Sequence, residues 1–319
     1  MKRMIAMTLA LMLLLGLTAC GGAAPADDGK YTIGICQLVT HDALDAATKG
    51  FQDAVIAGLG EENVTFDLQN AAGDSNTCAS IANAFVAAEV DLIMANATPA
   101  LQNAQAATAD IPILGTSVTE YGVALDIKDF TGTDGGNVSG TSDLAPLDEQ
   151  AAMLQEWFPD AKNVGLLYCS AEANSKYQVD TIKALLEGKG YNCQMFAFAD
   201  SNDMPAVTNA ACEFSDVIYV PTDNAVASST DIIDGICRPA GVPIIAGEEG
   251  ICAGCGVATL SISYYDLGYK TGEMAVQILK GETDIATMEI AYAPATPKYN
   301  AEICTDLGLT APEGYAAIG

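Results

Sequence analysis

Asp91-Leu-Ile-Met-Ala-Asn-Ala-Thr98-Pro99 and Asp216-Val-Ile-Tyr-Val-Pro-Thr-Asp223-Asn224 are one phrase written twice. Each has an acidic residue, an apolar run of strand length, and a polar residue ahead of a segment with helical spacing. Two further pairs keep the same order around it. Ile33-Gly-Ile matches Val164-Gly-Leu upstream, and Ile111-Pro-Ile-Leu-Gly matches Val242-Pro-Ile-Ile-Ala downstream. Three pairs in one order read as a single folding unit used twice, over about 30–142 and 143–262.

Working outward, apolar β-rich runs alternate with segments of 3.6-residue period. Strands are expected at 31–38, 64–69, 91–96, 111–117, 163–169, 191–198, 215–220, 242–246 and 257–262. Helices are expected at 43–58, 76–89, 99–108, 147–157, 172–188, 203–213, 224–237 and 265–280, with a last strand near 287–293. In 43–58 the residues Leu44, Ala47, Phe51, Ala54, Val55 and Gly58 form one stripe. Short Val/Ile/Leu strands alternating with helices of a dozen residues mean βαβ units and parallel sheets. The fold class is therefore α/β: two doubly wound parallel-sheet lobes.

The chain has 319 residues, half of them apolar and 17% charged, which is enough for two buried cores. The 41 acidic residues against 13 basic ones give a formal charge of −28. Nucleic-acid binding needs cations for phosphates, and an anionic membrane surface repels such a body. With two arginines, Arg3 and Arg238, and one histidine, His41, phosphate-processing chemistry is also disfavoured. The Ser-His-acid set of a serine hydrolase finds no support, and neither G-x-S-x-G nor a Walker loop is present. No enzyme, cofactor or metal is expected.

The first residues read as an address. Met1-Lys2-Arg3 precedes sixteen residues without charge, and the run ends in Leu17-Thr18-Ala19-Cys20. A spanning helix needs about 20 residues, whereas a secretory h-region is shorter. Leu-x-Ala-Cys resembles the bacterial lipobox, so residues 1–19 are expected to be a signal peptide. Cys20 would then be acylated and 20–29 would be a tether. The body would lie outside the cytoplasm, held to the bacterial cell membrane by lipid. Nine cysteines remain, an odd number that forbids complete internal pairing. Most lie in apolar surroundings and read as buried thiols. Cys252-Ala-Gly-Cys255 reads as part of a Gly-rich turn, without a second ligand pair for zinc.

Ligands of parallel α/β sheets sit past the carboxyl ends of the strands, where helix N-termini aim free N–H groups. In the first lobe these points hold Gln37, His41, Leu44, Thr98, Pro99 and Thr119. In the second they hold Glu172, Asn174, Ser175, Thr222, Asp223, Asn224 and Glu248. Hydroxyls and an amide in the first lobe suit a carboxylate. Asp223 and Glu248 in the second suit an ammonium group. A zwitterion such as a free α-amino acid fits, with Asp223 on the ammonium and Thr98 on the carboxylate. For Thr98, Ser175 and Asp223 a simple helix-capping role stays open, as does a surface role for His41.

The segments GICQLVTHDALDAATKGFQDA, ANATPALQNA, NVSGTSDLAP, SAEANSKYQV, YVPTDNAVASS and YYDLGYKTGEMAVQILKGE follow the lipobox in order. Together they resemble the ABC-transporter substrate-binding lipoproteins of the tryptophan/tyrosine type, over nearly the whole mature chain. The resemblance implies a type I periplasmic-binding-protein fold, two lobes joined by three crossing strands near 142, 262 and 287. It assigns 30–142 plus 263–287 to lobe I and 143–262 plus 288–319 to lobe II. It implies an aromatic amino acid as ligand, ABC permease subunits as partners and a monomeric state. Carried over by position, the ATPA segment supplies Thr98, SEANS-like Asn174 and Ser175, PTDN Asp223 and Asn224, and HDALDA His41 and Leu44. The cysteine richness departs from the family pattern. A lipid-anchored sensor or adhesin of the same fold, without transport, is the alternative reading.

Overall fold

The computed structural model describes residues 30–318. The signal segment, Cys20 and the tether lie outside the described residues. The first sheet contains β1 (Tyr31–Gln37), β2 (Val64–Asn70), β3 (Leu92–Asn96), β4 (Ile113–Val118) and β5 (Val138–Ser142). The second contains β6 (Asn163–Cys169), β7 (Asn192–Phe198), β8 (Val217–Val220), β9 (Ile244–Ala246) and β10 (Ala258–Ser261). The strand order is 2-1-3-4-5 in one and 7-6-8-9-10 in the other, all neighbours parallel. This is the same doubly wound order twice. The repeated acidic residues even do the same work: Asp91 accepts from the Thr32 N–H, and Asp216 from the N–H groups of Lys162 and Asn163.

Three strands complete the sheets. β11 (Ala291–Tyr292) joins the first sheet beside β5, while β12 (Thr296–Tyr299) and β13 (Ala316–Ala317) extend the second. β12 runs antiparallel to β10. The chain thus passes between lobes after β5, after β10 and after β11. The third passage falls at 293–295, not near 287, because residues 291–292 still pair with Thr141 and Ser142 of the first sheet.

The helices are α1 (Asp42–Leu59), α2 (Ser75–Ala87), α3 (Thr98–Ala107), α4 (Tyr121–Ala124), α5 (Leu147–Trp157), α6 (Ala173–Gly188), α7 (Met204–Phe214), α8 (Asn224–Ala227), α9 (Thr230–Ala240), α10 (Glu249–Cys255), α11 (Tyr264–Leu279) and α12 (Ala301–Asp306). Two expectations need correction. The helix expected at 224–237 is two helices, because Ser228 and Ser229 end α8 and the chain restarts at Thr230. The Cys252/Cys255 segment is a helix rather than a turn: Glu248 caps it, accepting from the Gly250 and Ile251 N–H groups. Both thiols are buried, and burial pushes them above their ordinary range.

α11 returns to the first lobe and packs along α1. Glycines make this possible: a Cβ on Gly268 would run into the Ala47 carbonyl, and one on Gly50 into the Tyr265 carbonyl. The two backbones touch, and Phe51, Val55, Met274 and Ala275 close the core below them.

Candidate ligand-binding site

The carboxyl ends of both sheets face each other across a narrow cleft, whose void encloses only about 10 Å³, little more than room for one water. His41 and Leu44 at the start of α1 line it, with Ser117 and Thr119 at the end of β4 and Tyr264 at the start of α11. From the second lobe come Asn174, Thr222, Asp223, Asn224, Ala227 and Glu248. Asp143 stands on the first passage between the lobes and completes the wall. No lysine or arginine is among these residues.

Local backbone geometry places several of them. The register of β4 against β5 shifts between Gly115 and Val118. Ser117 there adopts φ +53°, a left-handed conformation that costs energy for a side-chain-bearing residue and re-aims the side chain. Next to it, Ala97 caps α3 at φ +95°. His41 is the N-cap of α1 without a capping side-chain bond, so its ring reaches across the cleft. Its Nε2 lies 3.3 Å from Asn224 Oδ1, a direct contact between lobes. Burial lowers its pKa, against the pull of Asn224, Asp45 and Asp42. The neutral ring with Nε2 protonated therefore donates to Asn224.

Three carboxyl groups line the cleft, Asp143, Asp223 and Glu248, and a fourth, Glu172, stands beside it, each nearly inaccessible. Burial raises the pKa of all four, to about 7 for Glu172 and Glu248. For Glu172 the Asp223 charge adds to the effect. Their hydrogen bonds differ. Asp223 Oδ1 accepts from the Val226 N–H at 3.0 Å and Oδ2 from the Cys169 N–H at 2.7 Å. Glu248 is taken up by the α10 N-terminus. Glu172 accepts from the Asn224 and Ala225 N–H groups and from the Asn224 and Asn174 amides. Asp143 Oδ2 accepts from the Tyr264 hydroxyl at 2.9 Å, but Oδ1 has no partner within the protein. Asn174 Oδ1 and Ser117 Oγ are buried without partners as well. Buried polar atoms in that condition are uncommon and costly.

Of the residues singled out in the sequence, the structure brings His41, Leu44, Thr119, Asn174, Thr222, Asp223, Asn224 and Glu248 to the void. It sets five others off it. Gln37 is absorbed in an internal network, donating to Asp45 and the Val39 carbonyl and accepting from Thr48. Thr98 opens α3 with a buried, unpartnered hydroxyl, yet it does not line the void. Pro99 and Glu172 line a neighbouring opening. Ser175 is fully buried beneath Asn174 and hydrogen-bonds the Asp223 carboxylate. Asp143, Ala227 and Tyr264 belong to the lining and were not among the expected residues. Ser117 was visible at a strand end, but Asp143 and Tyr264 carry no local signal. They matter only because the chain crosses between lobes beside them.

Two parallel-sheet lobes of matching strand order, closing on one polar cleft beside three crossing segments, define a solute-binding protein of the type I periplasmic class. The chain belongs to the ABC transporter substrate-binding protein family, which matches residues 32–314. A tyrosine-binding protein of Clostridioides difficile is 38% identical over 288 residues, covering 88% of this chain and 83% of that one. An ABC domain from Streptococcus pneumonia in complex with L-Trp is 33% identical with a TM-score of 0.85, covering 91% of this chain and 100% of that one. The ligand-free, open structure of a Clostridium difficile substrate-binding protein with adhesive properties is 39% identical, TM-score 0.69, covering 90% and 99%. The more distant sequence of the two solved structures is thus the better geometric match, and it is the liganded one.

Proposed function

We propose that this chain is the lipid-anchored, extracytoplasmic receptor of an ABC importer and that it carries a free amino acid with an aromatic side chain. The carrying observation is the pair of unpartnered buried acceptors, Asp143 Oδ1 and Asn174 Oδ1, at a void lined by three carboxyl and two amide side chains and no cation. An ammonium group supplies the missing donors and charge. Ser117 Oγ, buried without a partner, offers a donor for a carboxylate. Leu44, Ala227 and Tyr264 provide apolar faces for a ring.

Nearness to the L-Trp complex supports the ligand class and a closed arrangement of lobes. Acylation of Cys20 is inferred from Leu17-Thr18-Ala19-Cys20 alone. Among the described residues no helix is long and apolar enough to cross a membrane. The adhesive relative gives a second reading, a surface adhesin of the same fold, some substance.

The deciding experiment is a thermal-shift screen of the mature protein against the twenty amino acids, followed by calorimetry. Tyrosine, tryptophan or phenylalanine should stabilise it, and a ligand at 100 times Kd does so by ~2.7 kcal/mol. Tyramine, lacking the carboxylate, and phenylpropionate, lacking the ammonium, should bind far more weakly. Equal binding of phenylpropionate and phenylalanine would overturn the zwitterion reading. Deletion of the gene leaving aromatic amino-acid uptake unchanged while surface attachment falls would favour the adhesin.

A further inference from the structure

Cys212 and Cys237 face each other in the outer helical layer of the second lobe, with sulfurs 3.3 Å apart. Cys212 lies near the end of α7 and Cys237 in the last turn of α9. Neither lines the ligand cleft. We propose that Cys212 and Cys237 are a reversible disulfide-forming pair, oxidised by an external disulfide and fastening α7 to α9.

The geometry carries this. A disulfide requires sulfurs near 2.05 Å, so roughly 1.3 Å of closure is needed, within the range of side-chain rotation when the sulfurs already point at each other. Access is one-sided: Cys212 is half-buried, while Cys237 is sealed in the core with Phe198, Ile233 and Val220. Hydrogen bonding from Cys237 lowers the Cys212 pKa, which makes the reachable sulfur also the better thiolate. The helix carrying Cys237 is held in place. Arg238 pairs with Asp234 on α9 and with Glu302 and Asp306 on α12.

Other thiols lack this combination. Cys36 and Cys78 also touch each other, but both are sealed. Cys252 and Cys255 are sealed too, with thiols pushed up by burial. Cys193 is half-buried, but burial pushes its thiol up to about 11.

The reaction balances without a metal or cofactor. The Cys212 thiolate attacks one sulfur of an external disulfide and expels the other half as a thiolate, leaving a mixed disulfide. Cys237 loses its proton to that expelled thiolate or to water and attacks Cys212 Sγ, releasing the second half. Two protein thiols lose two electrons and two protons, and one external disulfide becomes two thiols. Occurrence in the cell rests on the extracytoplasmic placement proposed above. The chemistry of the pair does not.

The test uses the mature protein, purified reduced and then incubated with oxidised glutathione. Unfolding, alkylation and peptide mapping read the outcome, independently of any amino-acid ligand. The expected result is a peptide cross-linked through Cys212 and Cys237, with the intact mass lowered by two hydrogens. The bridge should raise Tm by roughly 5–10 °C, from the loop it closes and the size of the body. A reductant should reverse this, and Cys212→Ser should show no rise. Wild-type mapping needs no variant to fold. A lasting glutathione adduct on Cys212 with Cys237 alkylated, both residues alkylated, or a cross-link confined to Cys36 and Cys78 would each overturn the proposal.

Discussion

Asp143 and Asp223 are both acidic, both buried and both at the cleft, yet they make opposite use of their oxygens. Asp223 spends them on the backbone of β6 and α8, whereas Asp143 lines the void and has one oxygen, Oδ1, without a protein hydrogen bond. Removing one side of a buried charge pair costs about 3–5 kcal/mol. At ~1.4 kcal/mol per tenfold, Asp143→Asn should weaken amino-acid binding by roughly two to three orders of magnitude. Asp223→Asn puts an NH2 where an N–H of Cys169 or Val226 needs an acceptor. An unsatisfied buried donor costs about 1–3 kcal/mol, so this variant should lose stability first, with a smaller change in affinity. Calorimetric titration and thermal melts of the two variants read both effects. Unchanged affinity in a folded Asp143→Asn protein would remove Asp143 from the ligand contacts.

At the scale of elements, the α1–α11 contact decides where the returning helix docks. Gly268 and Gly50 let the two backbones meet, and Gly272 sits against Phe51 in the same seam. Any side chain there must push the helices apart. Overpacking of this kind costs typically 1–3 kcal/mol. Gly268→Ala is therefore expected to lower Tm by several degrees while leaving the second lobe intact. Since α11 also carries Tyr264 to the cleft, the same variant should weaken ligand binding. A melt at the wild-type temperature would show that the seam has slack which the static packing does not reveal.

At the scale of the whole molecule, the buried acids tie stability to pH. Glu172 and Glu248 ionise in the unfolded chain near the ordinary 4.5 and in the folded chain near 7. A raised carboxyl pKa contributes stability that is complete below about 4.5 and lost as pH rises through about 7. Burial moves Asp143 and Asp223 in the same direction. Without added ligand, these groups should make Tm lower at pH 8 than at pH 6. An ammonium ligand favours their ionised forms, so affinity should rise with pH over that window and binding near neutrality should release protons. Titration in two buffers of different ionisation enthalpy measures the protons, and Glu248→Gln should remove its share. We expect ligand contacts in both lobes to shift the population toward the closed arrangement, in which His41 and Asn224 meet. Small-angle scattering should show a smaller radius of gyration when a stabilising amino acid is added. No compaction would mean that the free protein already occupies the closed form.

What the sequence determined by itself is local or repeated. Periodicity marks strands and helices, and two copies of the Asp-led phrase imply two lobes. Chain direction then puts their carboxyl ends, with His41, Asn174, Asp223 and Glu248, at one cleft. These readings survive because neighbours in sequence produce them. What only the tertiary structure decided is non-local. The pairing of β11 with β5 moves the third passage past Tyr292, which no spacing in the sequence announces. Glu248 organises Cys252 and Cys255 into a helix, where glycine content alone suggested a turn. Gln37 carries every mark of a strand-end ligand but turns inward, because Thr48 one helix away satisfies it. Asp143 carries no mark at all and becomes a leading candidate because the passage between lobes leaves one of its oxygens without a protein partner. A side chain's type is written in the sequence. Whether its polar atoms are already satisfied is set by groups that only the folded chain brings within hydrogen-bonding distance.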